Sequence, residues 1–193
     1  MRPTEELMHE HKAIRLMLEI LESSARQLES GKDVPADDLR QMVEFLRTFA
    51  DGCHHAKEEE ILFPALEQAG IPREHGPIGV MLAEHALGRN HIKSMNDALT
   101  AYAAGKTEAG RDFARAARAY SILLNQHIEK ENVILFPMAD ARLPGATQDA
   151  LSVAFEQIEN ERVGKGTHEA FHAMLRELAS RYLIGEPKEN HAG

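Results

Sequence analysis

Apolar residues recur along most of this chain at three- and four-residue spacings, the mark of helices with one buried face. The first such segment covers residues 4 to about 29, with Thr4 as its cap and Leu7, Ile14, Leu18 and Leu21 on one stripe. Gly31 to Pro35 breaks it. A second helix is predicted from about 37, capped by Asp37, through Met42, Phe45, Leu46 and Phe49 to about 68. Pro64 falls in its last turns and predicts a kink or an early 3₁₀ end there. Gly70, Pro72, Gly76 and Pro77 mark the next connection. A third helix is expected over 77–103 and a fourth over 107–140, with Pro137 repeating Pro64. Two shorter helices, 147–162 and 167–184, flank Gly164-Lys165-Gly166. No stretch alternates apolar and polar residues as a half-buried strand would, so the fold class is all-α.

Each of the four long stripes is interrupted by groups that are costly to bury. His11 stands in line with Ile14, Leu18 and Leu21, and His85 in line with Ile78, Met81 and Ile92. His54 and Glu58 lead into Ile61, Leu62 and Ala65. His127 and Glu131 lie between Tyr120, Leu123 and Leu124 on one side and Ile134, Leu135 and Met138 on the other. A carboxylate in such a place needs a partner. The interruptions also repeat. His54 to Pro64 reads H-H-A-K-E-E-E-I-L-F-P, and His127 to Pro137 reads H-I-E-K-E-N-V-I-L-F-P. Both copies set a histidine four residues before a glutamate, one turn apart on one helix face. Upstream, Glu10-His11 with Arg15 matches Glu84-His85 with Arg89. The chain is thus two copies of one helical hairpin, predicting an up-down-up-down four-helix bundle with one or two added C-terminal helices. The expected division is 1–142 for the bundle, 143–185 for the added helices and 186–193 for a frayed tail. The added helices would cap the open end of the site or form an interface.

A single buried histidine is usually a hydrogen-bonded core residue, and a lone His-x-x-x-Glu is usually a solvated surface pair. Two matched pairs with two matched single histidines fit neither description and point to a metal site. Its ligands would be His11, His54, Glu58, His85, His127 and Glu131. Aligning Pro64 with Pro137 selects His54 over His55 and Glu58 over Glu59. His55 points about 100° away from His54 on an α-helix and is expected behind the site or at the surface. Lys57, Glu59 and Glu60 are expected to be solvated, and Cys53 to pack. Glu10 and Glu84 would accept hydrogen bonds or capture an arginine, with Arg15 and Arg89 stabilising them. With both carboxylates bridging, each of two ions would see two nitrogens and two oxygens, which suits iron or manganese. The absence of thiolate pairs disfavours structural zinc.

Composition narrows the class further. The 193 residues are 43% hydrophobic and 27% charged, with a net charge of −9 and no Lys/Arg cluster, which argues against nucleic acid or an anionic membrane as partner. The single cysteine cannot form an intrachain disulfide, no apolar run approaches about 18 residues, and the start lacks a signal-peptide core. A cytoplasmic location is the expectation.

The motifs Glu10-His11, His54-x-x-x-Glu58, Glu84-His85 and His127-x-x-x-Glu131, each late pair followed by I-L-F-P, resemble the hemerythrin-like, or HHE cation-binding, family of non-haem di-iron proteins. The resemblance covers residues 1 to about 140. It implies two iron ions, oxo- or hydroxo-bridged, held by His11, His54, His85 and His127 with Glu58 and Glu131 bridging. It further implies binding of O₂ or a related small oxidant such as peroxide or nitric oxide, in oxygen or iron sensing or oxidative-stress handling. The alternative within the family is a peroxide-decomposing redox enzyme. The oxygen carriers of the family have a further histidine where this chain has Met81, so a more symmetric centre is expected. Tyr120, two turns before His127, would hydrogen-bond the bound species or coordinate iron, or else be a core tyrosine with its hydroxyl satisfied elsewhere; His168 would reach the bundle as an extra ligand or supporting group, or lie with His172 at the surface. His168-Glu169-Ala170-Phe171-His172 also spells the H-E-x-x-H pattern of zinc peptidases, although no strand is available to hold a peptide. A ferritin-like set built on Glu6-x-x-His9 and Glu169-x-x-His172 is weaker, because Glu6 lies so near the chain start.

Overall fold

A computed structural model of the chain describes residues 1–162, 164 and 167–183, without the side chains of residues 167 and 168. The described residues are helices and their connections, with no strand among them. Helix α1 is Pro3–Glu29. Helix α2, Ala36–Phe45, continues through two π-helical segments, Leu46–His55 and Glu58–Leu62, into α3, Phe63–Gln68. Helix α4 is Pro77–Ala103. Helix α5, Ala109–Lys130, continues through a third π segment, Glu131–Leu135, into α6, Phe136–Arg142. Helices α7, Gly145–Arg162, and α8, Thr167–Tyr182, complete the fold. Among the described residues no helix is long and apolar enough to cross a membrane.

The helix starts differ slightly from the expected ones. Pro3 opens α1 in the first turn, where its missing N–H costs nothing, and Arg2 takes the capping position. Thr4 instead donates its hydroxyl to Asp140. Pro35 precedes α2, and Asp37 sits inside the first turn.

The two prolines produce π-turns, not 3₁₀ ends. A proline offers no N–H and its ring crowds the carbonyl four residues back. The chain relieves this by widening the preceding turn, so that Phe63 N–H bonds Glu58 O and Phe136 N–H bonds Glu131 O, five residues back. The widened turns begin at Glu58 and Glu131 themselves. The first π segment is longer and has no partner in the second half, where α5 is regular through Lys130. Within it Gly52 sits close to the preceding turn: an added Cβ would stand 3.1 Å from Arg47 O.

Four long helical segments pack around a shared interior, α5 lying along both α1 and α4, and α2 against α4. Two apolar clusters fill it. One contains Ile14, Leu18, Phe45, Cys53, Ile92 and Leu124; the other contains Leu7, Leu62, Ile78, Met81, Leu135 and Phe136. In every one of the four segments the site residues fall between members of the two clusters. The polar groups therefore occupy one layer, sealed above and below by side chains worth about 1.5–3 kcal/mol each in burial.

Helices α7 and α8 lie on the flank formed by α1 and the second segment. Phe171 stands edge-on to Phe45 at 5.4 Å. Tyr182 donates its hydroxyl to Asp38 at 2.7 Å, and Ser23 donates to the Tyr182 carbonyl at 2.7 Å. Among the described residues the α4–α5 flank has no such cover, and Val80 and Leu87 are exposed on α4.

Candidate metal centre

His11, His54, Glu58, His85, His127 and Glu131 converge in the polar layer, all 2% exposed or less. They come from all four segments, as the duplicated hairpin requires. His11 Nε2 and His54 Nε2 lie 3.0 Å apart, and so do His85 Nε2 and His127 Nε2. Glu131 lies between His11 and His127, with its oxygens at 3.2 and 3.1 Å from their Nε2 atoms. Glu58 lies between His54 and His85, at 3.7 and 3.4 Å. The two halves mirror each other.

The outward nitrogens fix the tautomers. His54 Nδ1 is 2.7 Å from Glu10 Oε2, and His127 Nδ1 is 3.0 Å from Glu84 Oε2. His85 Nδ1 is 2.7 Å from Glu59 Oε1, and His11 Nδ1 is 2.9 Å from Asn132 Oδ1. Each of these oxygens only accepts, so each Nδ1 carries the proton and each Nε2 turns its lone pair inward. Two lone pairs facing at 3.0 Å repel unless a proton or a cation lies between them. The carboxylates make the same demand: none of the four oxygens of Glu58 and Glu131 has a hydrogen-bond partner, and all are buried. Unpaired carboxylates in a dry layer are costly.

The protonation equilibria follow from this crowding. Burial opposes charge on His127, but Glu131 and Glu84 outweigh it and raise the imidazole to about 10. Burial likewise opposes charge on His54 and His85, yet Glu58 with Glu10, and Glu58 with Glu59, lift both above the usual imidazole range. Burial would raise Glu131, but His127 and His11 hold it well below the carboxylate range. Protons and a metal ion would compete for the same atoms.

Two sets of ligand atoms lie close enough to share an ion: His11, His54, Glu58 and Glu131, and His55, Glu58, His85 and His127, each set within 4.8 Å. Glu58 belongs to both. A third acidic group, Glu6, Glu10 and Glu159, already surrounds a cation. Lys57 Nζ donates to Glu10 at 2.6 Å, to Glu6 at 2.8 Å and to Glu159 at 3.3 Å, beneath the Phe155 ring.

Sequence comparison agrees with this reading of the centre. The model of the hemerythrin HHE cation binding domain matches residues 2–139. The chain belongs to this family. An uncharacterized protein of Mycobacterium tuberculosis, Rv1995, is 29% identical over 161 residues, 83% of this chain and 62% of the relative. An iron-sulfur cluster repair protein, YtfE, of Edwardsiella ictaluri is 33% identical over 125 residues, 63% of this chain and 56% of the relative. The chain spans about three fifths of the length of these curated relatives.

Several surrounding residues differ from expectation. Lys57 is fully buried, and Glu59 holds His85, so neither is a solvated surface group. Glu10 and Glu84 are anchored by Lys57 and Lys130, while Arg15 pairs with Glu129 and Arg89 with Asp51 and Glu59. The in-register Lys57 and Lys130 of the repeat carried this signal, as did the acceptors Glu59 and Asn132 at matching places. His55 is 2% exposed and stacks on His85 at 3.9 Å between centroids. The π segment ending at His55 takes less than 100° per residue, which brings both neighbours into the interior. Ile134, expected on the inner stripe, is exposed.

Tyr120 is fully buried, and its hydroxyl has no hydrogen-bond partner. Burial pushes that phenol above its usual range. Burial also pushes the Cys53 thiol up to about 12, as befits a packing residue. The His168 side chain lies outside the described residues, as does the predicted tail 186–193. Of the ferritin-like set, His9 is exposed and Glu6 pairs with Lys57, so these residues do not assemble a site.

Proposed function

We propose that this chain is a cytoplasmic non-haem di-iron protein that binds O₂ or a related small oxidant, in sensing or oxidative-stress handling. The observation that carries the proposal is the meeting of four inward Nε2 lone pairs with two carboxylates that no hydrogen bond satisfies. His11 and His54 would hold one ion, His85 and His127 the other, and Glu58 and Glu131 would span both. Imidazole and carboxylate donors without thiolate favour iron over structural zinc. When bound, two ferrous ions supply two electrons to a small oxidant. The protein supports this by fixing four imidazoles through Glu10, Glu59, Glu84 and Asn132. It also excludes bulk water with the two apolar clusters. Residues 1–142 would form an up-down-up-down bundle around the centre, with 143–185 as flanking cover.

A second reading, repair of iron-sulfur clusters, is favoured by the resemblance to the Edwardsiella protein alone. Metal content and the visible spectrum test the first. The expected result is about two iron per chain and a visible band on oxidation, both lost in His54→Ala. One zinc per chain, unchanged in His54→Ala, refutes it. Oxygen evolution from peroxide would identify the enzyme variant, and restoration of a damaged cluster in a client protein the repair reading.

A further inference from the structure

The duplicated hairpin makes the centre nearly symmetric, and His55 is one of the residues that break the symmetry. Where the first copy has His55, the second has Ile128. Both side chains are buried, His55 at 2% and Ile128 at 1% exposure. An isoleucine needs nothing more. An imidazole needs partners for two nitrogens, and His55 has little. Its Nδ1 lies 3.4 Å from Asp51 Oδ1, a long contact, and its buried Nε2 has no hydrogen-bond partner among the described residues. A nitrogen left in that state costs free energy unless something binds it.

We infer that His55 is a fifth imidazole ligand, binding through Nε2 the ion held by His85 and His127. The inference rests on the di-iron reading above and adds an asymmetry to it. Nitrogen or oxygen atoms of His55, Glu58, His85 and His127 all lie within 4.8 Å of one another, as tight a set as His11, His54, Glu58 and Glu131. The backbone supplies the means. A ten-residue π segment ends at His55, and nothing like it precedes Ile128, where α5 stays regular. The widened turns carry His55 inward beside His54, and stacking on His85 holds the ring in place. Asp51, fixed by Arg89 Nε at 2.9 Å, faces the outer nitrogen.

The consequence is chemical. His55, His85 and His127 would offer three nitrogens to one ion, whereas His11 and His54 would offer two to the other. A small oxidant would therefore be directed to the His11–His54 ion.

Mössbauer spectra of chain loaded with iron-57 test this. The wild type is expected to show two quadrupole doublets of equal area at two iron per chain. His55→Ile, which copies the second hairpin, should give one doublet, or hold one iron per chain with circular dichroism unchanged. His55→Gln serves if isoleucine there prevents folding, and should shift one of the two doublets. A single doublet in the wild type, or two unshifted doublets in a folded variant, overturns the inference. A wild type that does not take up two iron fails the di-iron reading itself, before any variant is considered.

Discussion

Lys57 and Lys130 occupy the same place in the two hairpins but differ in burial and in the carboxylates around them, which makes them a useful comparison. Each anchors the glutamate that orients a histidine: Lys57 holds Glu10, which holds His54, and Lys130 holds Glu84, which holds His127. Lys57 is fully buried under α7, with Glu159 and Phe155 closing over it, whereas the Lys130 side chain is 35% exposed. Lys57→Met keeps the length and removes the ammonium. Glu10 is then a buried carboxylate left with His54 alone to stabilise its charge. Burial pushes Glu10 up, yet His54 and Lys57 together hold it at about 2 against an ordinary 4.5. At about 1.4 kcal/mol per unit, that displacement represents about 3.5 kcal/mol, shared between His54 and Lys57. Breaking a buried ion pair costs about 3–5 kcal/mol by general experience, so a loss of about 3 kcal/mol is expected. Lys130→Met breaks a partly solvated pair and should cost about 1 kcal/mol or less. Urea unfolding of both variants with unchanged m values measures the difference. A cycle with Glu10→Gln should return a coupling above about 1 kcal/mol for Lys57. Equal losses for the two lysines, or under about 1 kcal/mol for Lys57→Met, would refute the assignment of burial as the deciding factor.

The same pair sets a pH window. Glu10 is depressed on folding, so its contribution is complete above about pH 4.5 and lost as pH falls toward about 2. Lys57 is raised above 10.5, chiefly by Glu10 and Glu6 against the opposing effect of burial, so its share fades only in strong alkali. Urea midpoints measured between about pH 5 and 3 should fall less steeply in Glu10→Gln than in the wild type. Glu58→Leu removes two unsatisfied carboxylate oxygens. It should stabilise chelator-treated chain by about 1 kcal/mol or more while abolishing the thermal stabilisation that iron provides. Melting curves with and without chelator would expose the error if the variant kept its iron-dependent rise. Tyr120→Phe deletes a buried hydroxyl that has no partner, so stability should stay within about 1 kcal/mol or rise. A larger loss by thermal unfolding would mean that the hydroxyl is bonded after all.

Much of this protein is determined by local sequence alone. Helix positions follow from apolar spacing because a 3.6-residue period needs only nearby residues to declare a face. Helix α4 spans the predicted 77–103, and the others shift by a few residues at their ends. The six residues singled out for the centre meet in one layer because each interrupts an apolar stripe at the same level, and the duplication fixes that level twice. Three features needed the tertiary structure. The π-turns before Pro64 and Pro137 arise because relief of a proline clash depends on what the helix packs against, and that choice also decides where His55 points. Lys57 and Glu59 looked like surface residues because their partners, Glu10 and His85, lie on other helices. The inequality of the two hairpins comes from α7 and α8, which bury one flank and leave the other to solvent. A repeat in sequence declares symmetry and names the positions that differ; packing decides what each difference does.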